Sequence, residues 1–327
     1  VACTHIIGTG SYAPSRVITN HELEKRVDTS DSWIRERTGI QERRQAAPDE
    51  ATSDMAVHAA RRALDMAGVA PEELDLIVVG TITADMPMPS CAAFVQAKLG
   101  ARRAFAFDVG AACAGSLYAM SVADQFIRSG QVRKALVIGA ELLSRVVNPD
   151  DRNTCILFGD GAGAMVLSPG DDAERGILST HLHSDGGLAE LITIPGGGSR
   201  TPMTEEAVRA RLNTLHMNGR EVFRFAVRAL VESTQEALAT HGLVPGQVDH
   251  VIAHQANARI LDAALERLEI PRDKCWLNLH KYGNTSSASL PMTLDEAHRA
   301  GKLQRGQVIA MMAIGAGMTW GSAVVRW

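Results

Sequence analysis

The sequence predicts a layered α/β protein built from two related halves. Three observations carry that prediction: apolar runs of strand length, helical stretches between them, and a motif that recurs late in the chain. The runs LDLIVVG (74–80) and KALVIGA (134–140) are nearly continuous rather than alternating, so they fit strands covered on both faces. SDMAVHAARRALDMAG (53–68) and HMNGREVFRFAVRALVESTQEALATHG (216–242) have helical character and would supply the cover.

The recurrence is gapless. ALDMAGVAPEELDLIVVG (63–80) matches ALATHGLVPGQVDHVIAH (237–254): each reads as a helix end, a glycine turn, a proline, an aspartate and a β-rich run. GQVRKALVIGAE (130–141) then pairs with RGQVIAMMAIGAG (305–317), and GDGAGAMVLS (159–168) with GMTWGSAVVRW (317–327), in the same order. Helix–strand grammar alone could produce one such match. Three in order predict two α/β halves, 1–170 and 171–327, with a period far too long for a solenoid. Between them, residues 184–220 carry Gly186–Gly187, Gly196–Gly198, Pro195 and Pro202, an excursion from the layers that reads as a rim loop, a lid or a plain surface loop.

Composition bounds the function. The 327 residues are 46% hydrophobic, enough for a substantial core. The net charge is -4, from 33 Lys plus Arg and 37 Asp plus Glu, without a long block of either sign. That argues against a general nucleic-acid or anionic-membrane surface. The N-terminus has no basic region followed by an apolar core, and no run approaches the roughly 18 apolar residues of a membrane span, so the expected location is cytoplasmic. Val1, an unusual first residue, predicts an initiator or a few leading residues ahead of it. Cys3, Cys91, Cys113, Cys155 and Cys275 are scattered and include no CxxC pair, which gives a disulfide framework or structural zinc little support.

Chemistry could meet at three places. In AFAFDVGAACAGSLYAM, Cys113 follows an apolar strand, lies among Gly110, Ala111, Ala112, Ala114 and Gly115, and precedes a helical stretch. Free N–H groups at such a turn can stabilise a thiolate and cradle an oxyanion, and the small neighbours let a thioester approach. A buried packing cysteine is the bland alternative. In VIAHQANARI (251–260), His254 ends the repeated strand, where its imidazole can project into a crevice or simply be a satisfied turn histidine. In HKYGNTSSASLPM (280–292), Asn284 presents an amide at a turn into a helix, a position also typical of a cap. A sulfur, an imidazole and a fixed amide suit either a cysteine hydrolase or a thioester-using synthase.

Across nearly the whole chain, the segments DTSDSWIRERTGI, DVGAACAGSLYA, ILFGDGAGAMVLS, VIAHQANARI, YGNTSSASLP and GAGMTWGSAVVRW resemble the β-ketoacyl-acyl carrier protein synthase III family of the thiolase superfamily. The resemblance implies a duplicated five-layered αβαβα thiolase fold, a homodimer, and a Cys113–His254–Asn284 catalytic set. It also implies a decarboxylative Claisen condensation that initiates fatty-acid synthesis. Cys113 takes a short acyl group from acyl-CoA, its thiolate favoured by the helix. Malonyl-acyl carrier protein then loses carbon dioxide, and His254 Nε2 and Asn284 Nδ2 hold the enolate. The backbone N–H groups of Cys113 and Gly315 are the implied oxyanion donors, although Gly315-Ala316-Gly317 departs from the triple glycine of many relatives.

The same resemblance implies CoA contacts from Thr29, Trp33, Arg37 and Arg152, a pantetheine channel at Gly219, Phe223 and Asn257, and attraction of an acidic carrier protein to Arg224 and Arg259. Met88 falls where many relatives have a phenylalanine that reaches across the dimer to shape the acyl pocket. No metal, flavin, nicotinamide or haem signature is present; Gly8-Thr9-Gly10 is too sparse for a dinucleotide fingerprint, so CoA enters as a substrate and no cofactor is expected. A condensing enzyme of specialised metabolism and a non-catalytic acyl-carrier-binding scaffold are the competing readings.

Overall fold

The computed structural model describes residues 3–172 and 174–327; the expectation about residues ahead of Val1 lies outside them. Nine strands carry the architecture. They are β1 (Cys3–Tyr12), β2 (Leu76–Gly80), β3 (Phe105–Val109), β4 (Ala135–Glu141), β5 (Gly161–Gly170), β6 (Gly176–Ser184), β7 (His250–Ala253), β8 (Val308–Gly315) and β9 (Thr319–Arg326). Their order is β3-β2-β4-β5-β1-β6-β9-β8-β7. The β1–β6 join is a single pair, Thr4 with Ile177, so the strands act as two sheets.

The two sheets repeat one pattern. On one side β3, β2 and β4 run parallel, and β5 and β1 follow antiparallel. On the other, β7 and β8 are parallel and β9 and β6 antiparallel, while Cys275 makes the parallel bridge to Val251 where the first sheet has β3. The recurring motif explains itself here. Gly68 and Gly242 turn the chain out of a helix at φ 63 and 64, the left-handed region where glycine has no Cβ penalty. Pro71 and Pro245 open short 3-10 turns. Asp75 Oδ2 accepts from the N–H groups of Arg133 and Lys134, and Asp249 Oδ2 from that of Val308, so each aspartate ties its strand to the parallel neighbour. We propose the boundary between the halves at Gly170, where β5 ends.

Six helices complete five layers: α1 (Thr52–Ala67), α2 (Cys91–Leu99), α3 (Gly115–Arg128), α4 (Gly219–Ala239), α5 (Ala258–Leu268) and α6 (Ser289–Arg299). Helices α1 and α2 cover the outer face of the first sheet, and α4 and α5 that of the second. Between the sheets lie α3 and α6: Leu117, Met120, Ile127, Leu290 and Leu294 pack against Val78 and Val137 on one side and Ile309 and Met311 on the other. This double coverage is why β2, β4 and β8 are buried along their whole length and read as continuous apolar runs. The excursion at 184–220 forms a small two-stranded hairpin, Ile192–Thr193 with His216–Met217, so the helix expected from His216 begins at Gly219. Among the described residues no helix is long and apolar enough to cross a membrane.

Candidate active site

Cys113 and His254 stand where a strand ends and the chain turns, and Asn284 stands in the turn after a short helix, Leu279–Tyr282. Cys113 lies on a single 3-10 turn, Ala112–Ala114, between β3 and α3. Ala112 is held at φ 44, a conformation that costs alanine energy and marks a constrained turn. Gly315, the last residue of β8, packs on this turn so closely that a Cβ there would sit 2.6 Å from the Cys113 nitrogen and 2.8 Å from the Ala111 oxygen. Thr319 Oγ1 donates to the Ala111 carbonyl at 2.9 Å and closes the arrangement.

His254 follows β7, its N–H donating to the Met312 carbonyl at 2.8 Å. Its Nδ1 is 2.6 Å from Ser289 Oγ at the start of α6, and that oxygen also accepts from the Gln255 N–H. Burial pushes the imidazole pKa down to about 4, so the ring is neutral near neutral pH. Gln255, which flanks it, is structural: its amide bonds the Ala253 and Trp276 carbonyls and the N–H groups of Asn278 and Leu279.

Asn284 is pinned at both ends of its backbone, donating to Leu157 O at 2.8 Å and accepting from Gly159 N at 3.0 Å. Its Oδ1 accepts from the Ser286 N–H at 2.8 Å, which identifies the amide oxygen and leaves Nδ2 as the group free to donate. The turn beyond it rests on the first sheet: Ser287 Oγ donates to Gly80 O at 2.7 Å.

Cys113, His254, Asn284, Ser286 and Gly315 line one cavity of about 430 Å³ together with Trp33, Arg37, Gly219, Phe223 and Asn257. It runs from the buried His254 and Asn284 to the exposed Arg37 and Gly219, so it is a channel to the surface. The hairpin of the excursion supplies Ile192 and Met217 to its wall. Near the surface the Arg152 guanidinium lies 4.6 Å from the Trp33 ring centre and that of Arg37 5.8 Å. A Cβ at Gly219 would meet only Met217 Cε, at 3.7 Å, so the fold itself does not require glycine there. Asn257 caps α5 by accepting from the Arg259 N–H and holds the Arg37 carbonyl through Nδ2.

Other expected residues lie off the lining. Thr29 Oγ1 is buried without a hydrogen-bond partner. Met88 is 83% exposed on this chain. Arg224 pairs with Glu221 at 3.4 Å, and the Arg259 guanidinium lies 5.9 Å from the Phe223 ring centre.

At the partly exposed Cys113, desolvation pushes the thiol up to about 12, opposed by Ser286 and added to by Glu141.

Sequence reasoning passed over Ser286, Ser289, Ile82 and Glu141. The two serines stand in the quoted YGNTSSASLP segment, and Glu141 was signalled only by an acid closing an apolar strand. Among the described residues no group of three or more His, Cys, Asp or Glu could hold a metal ion, and all five cysteines are free.

Two family models match the chain: 3-oxoacyl-[acyl-carrier-protein] synthase III at residues 107–186, and the C-terminal part of the same family at residues 238–327. The chain is 51% identical over 322 residues to a β-ketoacyl-[acyl-carrier-protein] synthase III of Caldanaerobacter subterraneus, covering 98% of this chain and 97% of that protein. It is 53% identical over 323 residues to the protein of that name from Symbiobacterium thermophilum, with 98% and 97% covered. The crystal structure of 3-oxoacyl-[acyl-carrier-protein] synthase III from Aquifex aeolicus superposes with a TM-score of 0.92 at 47% identity, covering 99% of this chain and all of that one. The chain belongs to the 3-oxoacyl-[acyl-carrier-protein] synthase III family of the thiolase superfamily, acyltransferases that initiate fatty-acid synthesis by decarboxylative Claisen condensation.

Proposed function

We propose that Cys113 carries the acyl group of this condensation and that His254 and Asn284 hold the enolate it consumes. The observation that carries the reading is the convergence of the three groups on one channel, with Asn284 Oδ1 already engaged so that Nδ2 is left to donate. In the first half-reaction the sulfur attacks the thioester carbonyl of a short acyl-CoA. The developing oxyanion accepts from the N–H groups of Cys113 and Gly315, and CoA leaves.

Malonyl-acyl carrier protein then takes the channel. Its carboxylate departs as carbon dioxide, and the negative charge collects on the thioester oxygen between His254 Nε2–H and Asn284 Nδ2–H. The enolate carbon attacks the acyl group, and the β-ketoacyl carrier leaves with the sulfur freed. The Ser289 hydroxyl lies 2.6 Å from His254 Nδ1 and 2.8 Å from the Ser286 carbonyl, to which it donates, so a neutral His254 donates from Nε2 in the state in which the Ser289 proton turns to Nδ1 instead.

For the loading substrate, Trp33, Arg37 and Arg152 supply an aromatic face and two cations suited to adenine and phosphate, with Thr29 in the adjoining segment. Gly219, Phe223 and Asn257 border the narrow part suited to the pantetheine arm. Arg224 and Arg259, both exposed, are the cations for an acidic carrier protein. The physiological assembly is a homodimer. Edge strand β3 leaves Phe105 46% exposed, and Met86 and Met88, 45% and 83% exposed, extend the same kind of surface on one chain, where it would favour pairing. In that dimer Met88 would help shape the acyl pocket.

Intact-protein mass measurement with a panel of acyl-CoA thioesters tests the reading. The acyl mass should appear on wild type, be absent from Cys113→Ala, and move to a β-keto product on adding malonyl-acyl carrier protein. Release as free acid alone would point to a thioesterase instead, and carrier binding without acylation to a scaffold.

A further inference from the structure

Glu141 ends β4 with no exposed surface, directly behind the catalytic turns. Its hydrogen-bond partners are the hydroxyls of Thr83 at 2.6 Å, Ser287 at 3.0 Å, Ser286 at 3.1 Å and Thr81 at 3.3 Å, with the Ile82 N–H at 3.2 Å. Hydroxyls offset only part of the cost of burying a carboxylate, so desolvation raises its pKa to about 7. Thioester exchange needs a group poised near neutrality to take the proton of a protonated thiol, and none of the steps above uses this one.

The bond set also shows how Glu141 reaches the cavity. Ser287 has a shorter bond to Gly80 O, 2.7 Å, for its single proton. Thr83 Oγ1 faces inward, accepting from the Leu142 N–H. Ser286 differs: it lines the same cavity as Cys113 and donates to Glu141 Oε1 at 3.1 Å. Its residue is held at φ 50, so the turn is built around that placement. The titratable groups facing Glu141 are the thiols of Cys113, from the nucleophile turn, and Cys91, from α2.

We propose that Glu141 accepts the Cys113 thiol proton through the Ser286 hydroxyl during acyl loading and returns it when condensation frees the sulfur. This rests on Cys113 being the acyl carrier. In loading, the S–H bond breaks and its proton goes to Ser286 Oγ, while the old Ser286 proton passes to Glu141. The sulfur bonds the acyl carbon, and CoA leaves as a thiolate that takes a proton from water. In condensation the Cys113 thiolate is expelled, and the two protons shift back along the same path. Glu141 therefore stores one proton for the lifetime of the acyl-enzyme.

The experiment follows acylation by acetyl-CoA in rapid-quench intact mass measurements between about pH 5.5 and 9 on wild type, Glu141→Gln and Ser286→Ala. Iodoacetamide alkylation of Cys113, read by peptide mass, runs in parallel. Wild-type loading should rise through an ionisation near pH 7. Both variants should lose that ionisation and load about 100-fold more slowly at neutral pH. Ser286→Ala keeps the other Glu141 bonds, so it decides the matter even if Glu141→Gln folds poorly. Variants that keep the wild-type rate and pH profile overturn the relay. A wild type that takes no acyl group would instead overturn the assignment of Cys113, so the two failures are distinct.

Discussion

A Cβ at Gly139 would fall 2.1 Å from the carbonyl oxygen of Ser287, so β4 and the turn beyond Asn284 are in direct backbone contact. No side-chain rotation can relieve that overlap. Gly139→Ala should cost about 1–3 kcal/mol of stability, the range for overpacking, and should displace Asn284 with the turn. Urea unfolding measures the first effect. The second predicts a loss of condensation larger than the loss of acyl loading, and equal losses would show that the turn had not moved separately.

Asn284→Ala should separate the half-reactions in the same direction but further. Removing one aimed donor costs on the order of 3 kcal/mol of transition-state stabilisation, about 100-fold in rate. Decarboxylation of malonyl-acyl carrier protein should fall by that much while Cys113 still accepts acyl groups at close to the wild-type rate, both followed by intact mass and product analysis.

Stability should carry the signature of Glu141. Its folded pKa, about 7, lies above the ordinary glutamate value. Its contribution is therefore full below that ordinary value and lost as pH rises through about 7. His254 acts oppositely: its pKa of about 4 means that stability is lost as pH falls from the ordinary histidine value towards 4. Urea titrations of wild type and Glu141→Gln should show wild type losing its relative advantage between pH 4.5 and 7.5, by on the order of 3 kcal/mol. A pH-independent difference would contradict the burial argument.

Charge reversal at Arg224 and Arg259 should impair the carrier-dependent step more than loading from acyl-CoA. Both are exposed, and neither lines the channel. The Arg224–Glu221 pair has partners 62% and 48% exposed, so losing it should barely change stability. The expected outcome is a raised KM for malonyl-acyl carrier protein that grows less marked with added salt, measured beside unchanged acylation. Equal damage to both steps would mark these arginines as part of the channel instead.

Local pattern carried much of the architecture. The buried strands announced themselves because both faces are covered, and the repeated glycine, proline and aspartate recur because each half solves the same strand-to-strand problem, as Asp75 and Asp249 show. Cys113, His254 and Asn284 were legible for a related reason: each sits at a strand end or turn with its own short motif.

The sequence by itself determined the layered α/β class and the family, and it pointed to Cys113, His254 and Asn284, because these rest on neighbours within a few residues and on motifs in a fixed order. Only the tertiary structure decided that Ser289 meets His254 and that burial raises the pKa of the Cys113 thiol. It alone placed Glu141 against Ser286, 145 positions away. Those are matters of burial and of hydrogen bonds between distant segments, and burial is set by the layers that close around a residue rather than by the residues beside it in the chain.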